Sequence, residues 1–343
     1  MNRPKTKTQK RTGLRVILAG MALVLLMIML GSFLLGRYGI DPGELLRILW
    51  SRVWPVPVSW EPITENIVLY VRLPRIVMAV LVGAALSVSG ATYQCMFRNP
   101  MAAPDILGAS TGAAFGAALA IVAGLSHTAI LVCAFASSLV CMALVMLCGR
   151  LNRGNPVLGL ILSGIMISSL FQAATSYLKM IADPNDTLPE ITYWLMGSLS
   201  GVSVDDFSYV WLPFLVGFVP LFLLRWKLNL LTLEEEEART MGVNTRRLRA
   251  VAILASTLLV AASVAVSGVI GWVGLVIPHM ARKAVGSDGR VLLPASAILG
   301  GGFLLLVDDL ARTLYTTELP LGILTAVIGA PFFLYLLSRK RGW

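Results

Sequence analysis

Few residues of this chain have the types and spacing that chemistry would need. The 343 residues include two histidines and four cysteines, and their spacing matches neither a zinc site nor a nucleophilic triad. No GxxxxGK[ST] sequence occurs, so the chain has no P-loop for ATP. His127 is expected to be a surface residue and His279 a packed one. The cysteines are expected to be small core hydrophobes.

Charged residues inside or beside long apolar runs are the first candidates, because a charge in a membrane is costly and usually functional. Asp308 and Arg312 are four residues apart, so on a helix they can pair on one face. Arg72 and Arg75 flank a Leu-Pro pair just before an apolar run. They are expected either to extend toward lipid headgroups or, with Arg312, to bind carboxylates of an external partner.

A second group of candidates is polar and lies on one side of the apolar segment 156–178. This polarity predicts either a hydrated pathway or hydrogen bonds between helices; the side chains are Ser163, Ser168, Ser169, Gln172, Thr175 and Ser176. We take Ser168, Gln172 and Thr175 as candidates for a translocation path.

The elements that position these side chains are expected to be membrane spans. Hydrophobic residues make up 57% of the chain and charged residues 13%, which is too little charge to cover a water-facing surface. Ten apolar runs, the eighth of them short, can cross ~30 Å of hydrocarbon as helices. The predicted class is an all-α polytopic membrane protein, with spans at 16–35, 73–95, 106–123, 128–148, 156–178, 207–224, 250–269, 272–284, 294–314 and 321–338.

Two further features concern the arrangement of the spans. Short helices are expected outside the membrane at 42–50 and 187–198. The sequence Val-Ser-Gly occurs at 88–90 and at 266–268, each time with a proline ten residues after the glycine. The two copies lie five spans apart and in opposite orientation, as inverted repeats require.

The charge distribution predicts the orientation. The net charge of +10 is not gathered in one stripe, as nucleic-acid binding would favour, but at span ends and in short loops. Ten spans place both termini on one side, and most of the 28 lysines and arginines then fall on that side, which identifies it as cytoplasmic. The predicted organisation is a basic cytoplasmic N-terminus (1–15), one transmembrane domain (16–338) and a cytoplasmic tail (339–343).

The loop 227–249, predicted to be cytoplasmic, contains four consecutive glutamates at 234–237. Acidic residues favour a helix N-terminus, and Gly242 can end such a helix in a left-handed turn; a merely solvated charge run is the alternative. Charges deep in the spans are too few for a proton-coupled carrier. We therefore expect an ATP-hydrolysing partner at this loop. An ion-coupled secondary transporter and an intramembrane enzyme are the less favoured alternatives.

Taken together, the motifs resemble those of one family, the FecCD-type permeases of ABC importers, which carry iron–siderophore complexes, haem or vitamin B12. The resembling segments span about residues 70–340 and read VRLPRIVMAVLVGAALSVSGATYQCMFRNPMAAPDILGASTGAAFG, LEEEEARTMGV, GWVGLVIPHMAR, RVLLP and ELPLGILTAVIGAPFFLYLL. The resemblance is especially to the vitamin B12 importer permease. It implies an inverted-repeat fold of ten helices in the cytoplasmic membrane of a bacterium or archaeon.

The resemblance also implies partners and cargo. A second permease subunit (a copy or a paralogue), two ATPase subunits and an extracytoplasmic binding protein are expected. ATP and Mg²⁺ would bind to the ATPase, so this chain is expected to bind no cofactor and no metal and to catalyse no reaction. The expected cargo is a bulky iron chelate, namely a ferric siderophore, with haem or vitamin B12 as alternatives.

Individual roles follow from the same resemblance. The family's ATPase-coupling sequence, GE-x-x-A-x-x-x-G, places its last three fixed residues at Glu235, Ala238 and Gly242, while Glu234 replaces its first glycine. The arginines that hold glutamates of the binding protein match Arg72, Arg75 and Arg312. The cytoplasmic gate matches Asn99, Met101, Val157 and Leu158.

Overall fold

The computed structural model describes residues 7–151, 156–233, 235–315 and 317–338. These residues form fourteen α-helices: α1 (Lys7–Leu34), α2 (Pro42–Ser51), α3 (Pro62–Asn66), α4 (Leu73–Met96), α5 (Ala109–Val122), α6 (His127–Leu151), α7 (Pro156–Ile181), α8 (Thr187–Met196), α9 (Asp206–Leu228), α10 (Glu235–Thr240), α11 (Thr245–Ser267), α12 (Val273–Val285), α13 (Gly289–Thr313) and α14 (Leu321–Ser338).

The helices confirm the predicted all-α membrane fold. Within the described residues, seven helical runs are long and apolar enough to cross a membrane, and the apolar helices α5 and α14 are shorter. With α12, which is only 13 residues long, the helices are consistent with ten spans. The two short surface helices expected from the sequence are α2 and α8.

Helix α4 lies at the centre of the bundle, where most of its side chains are buried. A Cβ atom on Gly83 would lie 2.2 Å from the carbonyl oxygen of Gly300 on α13. A Cβ atom on Gly90 would lie 1.8 Å from the carbonyl oxygen of Gly274 on α12. The missing side chains therefore let α4 approach the backbones of two neighbours directly, as is common where helices pack in lipid.

The predicted second span, 73–95, corresponds to α4 (Leu73–Met96), but the helix extends further toward the N-terminus. The helical run begins at Pro62 and passes through a π-helical turn, Ile67–Arg72, into α4. Pro74 has no N–H to donate and would clash with the carbonyl four residues earlier in a regular α-helix. The N–H of Leu73 instead reaches back to the carbonyl of Val68, and this wider turn carries the helix past the proline.

The repeated Val-Ser-Gly sequence adopts two different local structures. Gly90 lies inside α4, whereas Gly268 follows the last residue of α11 with a φ of 66°. The short sequence echo therefore does not correspond to two equivalent turns.

Candidate functional sites

A buried charge cluster lies where α4 begins and α13 ends. The guanidinium group of Arg75 forms a bidentate pair with Asp308, with its Nε 2.9 Å from Oδ2 and its Nη2 2.8 Å from Oδ1. It also reaches both carboxylate oxygens of Glu318 at 2.9 Å. Because Arg75 is 7% exposed, this cation is neutralised inside the protein by two carboxylates.

The predicted pairing of Asp308 with Arg312 is wrong. Arg312 instead bonds the carboxylate of Asp309, three residues away, and both the carbonyl and the hydroxyl oxygen of Ser32 on α1, at 2.7 and 2.6 Å. The helix turns Asp308 toward Arg75 of α4, while Asp309 points toward α1. Two adjacent aspartates thus connect α13 to two different neighbouring helices.

Arg72 completes this end of the bundle by donating to the carbonyl oxygens of Phe33 and Tyr38. The predicted extension of Arg72 and Arg75 toward lipid headgroups is wrong, because they are only 4% and 7% exposed; Arg312 is likewise 7% exposed. Their binding to a partner's carboxylates stays a prediction. Such a carboxylate would have to displace an internal one, and Glu318, whose side chain is 33% exposed, is the accessible member.

At the opposite end of α4, the chain forms the turn in which the gate was predicted. The Asn99 side-chain oxygen accepts a hydrogen bond of 2.9 Å from the backbone N–H of Met101. Met101 is 40% exposed and Leu158 is 51% exposed, while Val157 is partly buried. All four candidate gate residues lie at the same end of the bundle, because α7 begins where α6 ends and α4 finishes.

Sequence reasoning missed Arg98, which precedes this turn. Arg98 has a φ of 50°, a left-handed conformation that costs a non-glycine residue roughly 1–2 kcal/mol. Its Nε donates 3.1 Å to the carbonyl oxygen of Leu231, in the 3₁₀ turn Asn229–Thr232 just after α9. A lone arginine in a short loop gave little sequence signal, yet it connects the predicted gate to the predicted coupling loop.

The coupling loop contains the short helix α10, as expected from its glutamates. Ala238 is fully buried, and Gly242 has a φ of 74° with open space around it. Asn244 then caps α11 by accepting a hydrogen bond of 3.0 Å from the N–H of Arg247. Glu235 is the first residue of α10. Its side chain and all of Glu234 lie outside the described part of the chain, as do the N-terminal residues 1–6 and the tail 339–343.

A cavity of ≈570 Å³ with several polar side chains in its lining lies between α5 and α7. Its lining residues come from α5, α7, α8, the 3₁₀ turn Pro104–Leu107 and the segment after α11: Asp105, Ser110, Thr111, Ala114, Gln172, Thr175, Ser176, Lys179, Leu195 and Val269. Thr175 and Ser176 donate to carbonyl oxygens of their own helix, at 2.8 and 2.9 Å. The polar side of α7 thus borders a cavity, and these two hydroxyls do not join neighbouring helices.

The three candidates for the translocation path lie in two different places. Gln172 and Thr175 line the cavity, whereas Ser168 packs against the turn before α5, where a Cβ atom on Gly108 would lie 2.6 Å from its hydroxyl oxygen. The wall of the cavity that lies opposite α7 was not predicted from the sequence. There Ser110 donates to the carboxylate of Asp105, but both residues lie among small apolar residues and form no recognisable polar side.

Cysteine labelling is expected to distinguish these positions. In a chain whose four natural cysteines are replaced, Gln172→Cys should react with a water-soluble, membrane-impermeant thiol reagent at least about tenfold faster than Ser168→Cys, because only a hydrated thiol ionises readily. The measurement is the labelling rate in proteoliposomes. Equal rates at the two positions would mean that the cavity is not hydrated.

The fold and these sites define a polytopic helical membrane protein with a cavity between two of its spans, an organisation typical of a transport subunit. The family model for the FecCD transport family matches residues 21–339. The chain is 41% identical over 327 residues to the molybdate import system permease protein MolB of Haemophilus influenzae, covering 95% of this chain and 96% of that one. It is 44% identical over 276 residues to an iron chelatin transport system permease protein of Helicobacter pylori, covering 80% and 83%.

Relatives named for hemin and for cobalamin also match. A solved metal-chelate type ABC transporter in an inward-facing conformation matches with a TM-score of 0.85 and 40% identity, covering 95% of this chain and 99% of that chain. The chain belongs to the FecCD transport family. It is a permease subunit of an ABC importer and not an enzyme, and this membership implies a second permease subunit and an ATPase.

Proposed function

We propose that this chain carries a bulky iron chelate, namely a ferric siderophore, across the cytoplasmic membrane of a bacterium or archaeon. The observation that carries the proposal is the cavity of ≈570 Å³ between α5 and α7, a volume typical of sites for small organic ligands, ~300–1,000 Å³. Its hydroxyl and amide groups suit a cargo that forms many hydrogen bonds. A second permease subunit, either a copy or a paralogue, would contribute a matching cavity across the dimer axis.

Sequence identity alone does not choose the cargo, because the relatives named for molybdate and for iron chelatin are 41% and 44% identical to this chain. We choose a chelate because the cavity volume lies in the range of sites for small organic ligands. Haem and vitamin B12 are the alternatives, and relatives are named for hemin and cobalamin.

The cargo is tested by ATP-driven uptake into proteoliposomes that contain the permease, its ATPase and its binding protein. A ferric siderophore should accumulate, while hemin, cobalamin and molybdate each compete weakly. Uptake of molybdate with exclusion of the siderophore would overturn the cargo and leave the importer assignment intact.

The proposed route of energy transfer starts at the ATPase and ends at the gate. Both termini and the loop 227–249 would lie in the cytoplasm, and the distribution of basic residues supports this orientation. Helix α10 and Gly242 would contact the ATPase, and a shift of this loop would act on the gate through Arg98, which holds the carbonyl of Leu231. An extracytoplasmic binding protein would deliver the cargo at the end where Arg75 and Arg312 lie.

Substitution of Gly242 is expected to uncouple ATP hydrolysis from uptake. Gly242 and Gly124 have similar left-handed conformations, with φ of 74° and 65°, and both would carry a Cβ atom in open space. Valine at either position therefore costs a similar ~1–2 kcal/mol of backbone strain or more. Only Gly242→Val should reduce cargo-stimulated ATPase activity, by about tenfold, because only this strain distorts the coupling loop.

The measurement is ATPase activity of the reconstituted importer with and without loaded binding protein. Gly124→Val is the matched control, since it applies the same strain in the connection between α5 and α6. If the two variants lose stimulation equally, Gly242 has no special part in coupling.

A further inference from the structure

A shallow surface groove, lined by the apolar parts of three side chains, lies at the end of α9, outside the sites described above. Arg225, Trp226 and Arg290 line it, and its volume is ≈460 Å³. The ammonium group of Lys227 lies 5.4 Å from the centre of the Trp226 ring and adds a third cation. An indole side chain with cations beside it is the usual composition of a protein surface at the level of lipid headgroups.

An exposed apolar stripe leads along α9 to this groove. Its members recur every three or four residues, which places them on one face of the helix, and each is at least 43% exposed: Tyr209, Leu212, Val216, Val219, Leu223 and Trp226. In a membrane-spanning helix, such a face is covered by acyl chains. The stripe and the cations together match the two parts of one phospholipid.

The groove is held in place by contacts between α9 and the start of α13. Asn229 accepts a hydrogen bond of 2.7 Å from the N–H of Gly289 and donates one of 2.8 Å to Asp288. A Cβ atom on Gly289 would lie 2.5 Å from the carbonyl oxygen of Arg225. Asp288 is the acidic neighbour of the groove, and the same carboxylate oxygen also accepts from the N–H of Arg290 at 3.0 Å. These bonds fix the backbones that carry the two arginines.

We propose that this groove binds an anionic phospholipid. The phosphate binds at the rim of the groove, where Arg225, Lys227 and Arg290 supply positive charge, Trp226 packs against the glycerol region, and one acyl chain follows the stripe on α9. Basic pockets between helices at the cytoplasmic surface are a common type of site for anionic headgroups. The occupant is identified by charge complementarity and by continuity with the apolar face.

The test is native mass spectrometry of the purified full chain in detergent, titrated with phosphatidylglycerol or phosphatidylcholine. Phosphatidylglycerol should be retained at much lower concentration. Arg225→Gln with Arg290→Gln should weaken its apparent affinity by about thirtyfold, as expected from the loss of two cations near an anionic headgroup. Replacement of both by lysine, which keeps the charge, should preserve most of the affinity.

Arg150→Gln is the matched control, because Arg150 is an exposed arginine at the end of α6, on the same side of the bundle but on another helix. It should leave lipid retention unchanged. Equal retention of the two lipids, an equal loss in Arg150→Gln, or a double variant that binds like the natural chain would overturn the site. Displacement of phosphatidylglycerol by millimolar inorganic phosphate would overturn the lipid and indicate a free-phosphate site.

The double glutamine variant must be checked by gel filtration for a monodisperse profile. If it does not fold, Arg225→Gln and Arg290→Gln are measured separately, and each should weaken phosphatidylglycerol binding by about fivefold. No loss in either single variant would also overturn the site.

Discussion

Arg75→Met is expected to destabilise the folded chain by about 3–5 kcal/mol, because it leaves the buried carboxylate of Asp308 without its cation. The Asp308 side chain is fully buried and cannot turn to water, whereas Glu318 can. The change should lower the thermal midpoint in detergent and reduce the yield of monodisperse protein.

Two further variants make this result specific. Arg47→Met removes an exposed arginine whose guanidinium group donates a hydrogen bond of 3.2 Å to the hydroxyl of Ser59. This change should cost less than ~1 kcal/mol. Arg75→Met combined with Asp308→Leu should recover much of the stability, because replacing both partners of a buried pair is far less harmful than removing one. A midpoint for Arg75→Met equal to that of Arg47→Met would contradict a structural role for the cluster.

Gly90→Val is expected to abolish folding or to cost at least about 3 kcal/mol, since overpacking of a tight core is severe where the neighbour is backbone. The first added carbon would lie 1.8 Å from the carbonyl oxygen of Gly274, so α4 and α12 would have to separate. The measurement is the amount of folded protein recovered from membranes, followed by its thermal midpoint.

Gly20→Val is the matched control. Gly20 is also a helical glycine, on α1, but a Cβ atom there meets nothing within 4 Å. It should be recovered at the level of the natural chain. Comparable recovery of Gly90→Val and Gly20→Val would show that the close approach of α4 to α12 is not required.

Hydropathy was sufficient to predict the spans, because a chain in lipid must form its backbone hydrogen bonds internally, and each helix does so by itself. The second span was predicted at 73–95, where α4 lies, but the helical extension back to Pro62 was not predicted. Pro74 is an ordinary first-turn signal, and a π-helical turn that carries a helix past a proline depends on tertiary packing. The capping residues of the coupling loop act locally, so α10 and the turn at Gly242 were predictable.

The charge cluster was only partly predictable. The sequence identified Arg75, Asp308 and Arg312 as buried or functional charges, but the i,i+4 rule chose the wrong pair. The partner of Arg75 is 233 residues away, and only the packing of α4 against α13 brings them together. Only one wall of the cavity was predicted. The polar residues of α7 form a recognisable side of that helix, whereas Asp105 and Ser110 lie among small residues and are brought opposite α7 only by packing.

The central claim, that ATP hydrolysis on a partner drives import through this chain, is tested most directly by cargo uptake into proteoliposomes with the ATPase subunits and the loaded binding protein. ATP-driven import predicts that uptake requires ATP, is lost without the ATPase, and continues when a protonophore removes the proton gradient. Uptake that persists without the ATPase and collapses with the protonophore would contradict it and indicate an ion-coupled carrier.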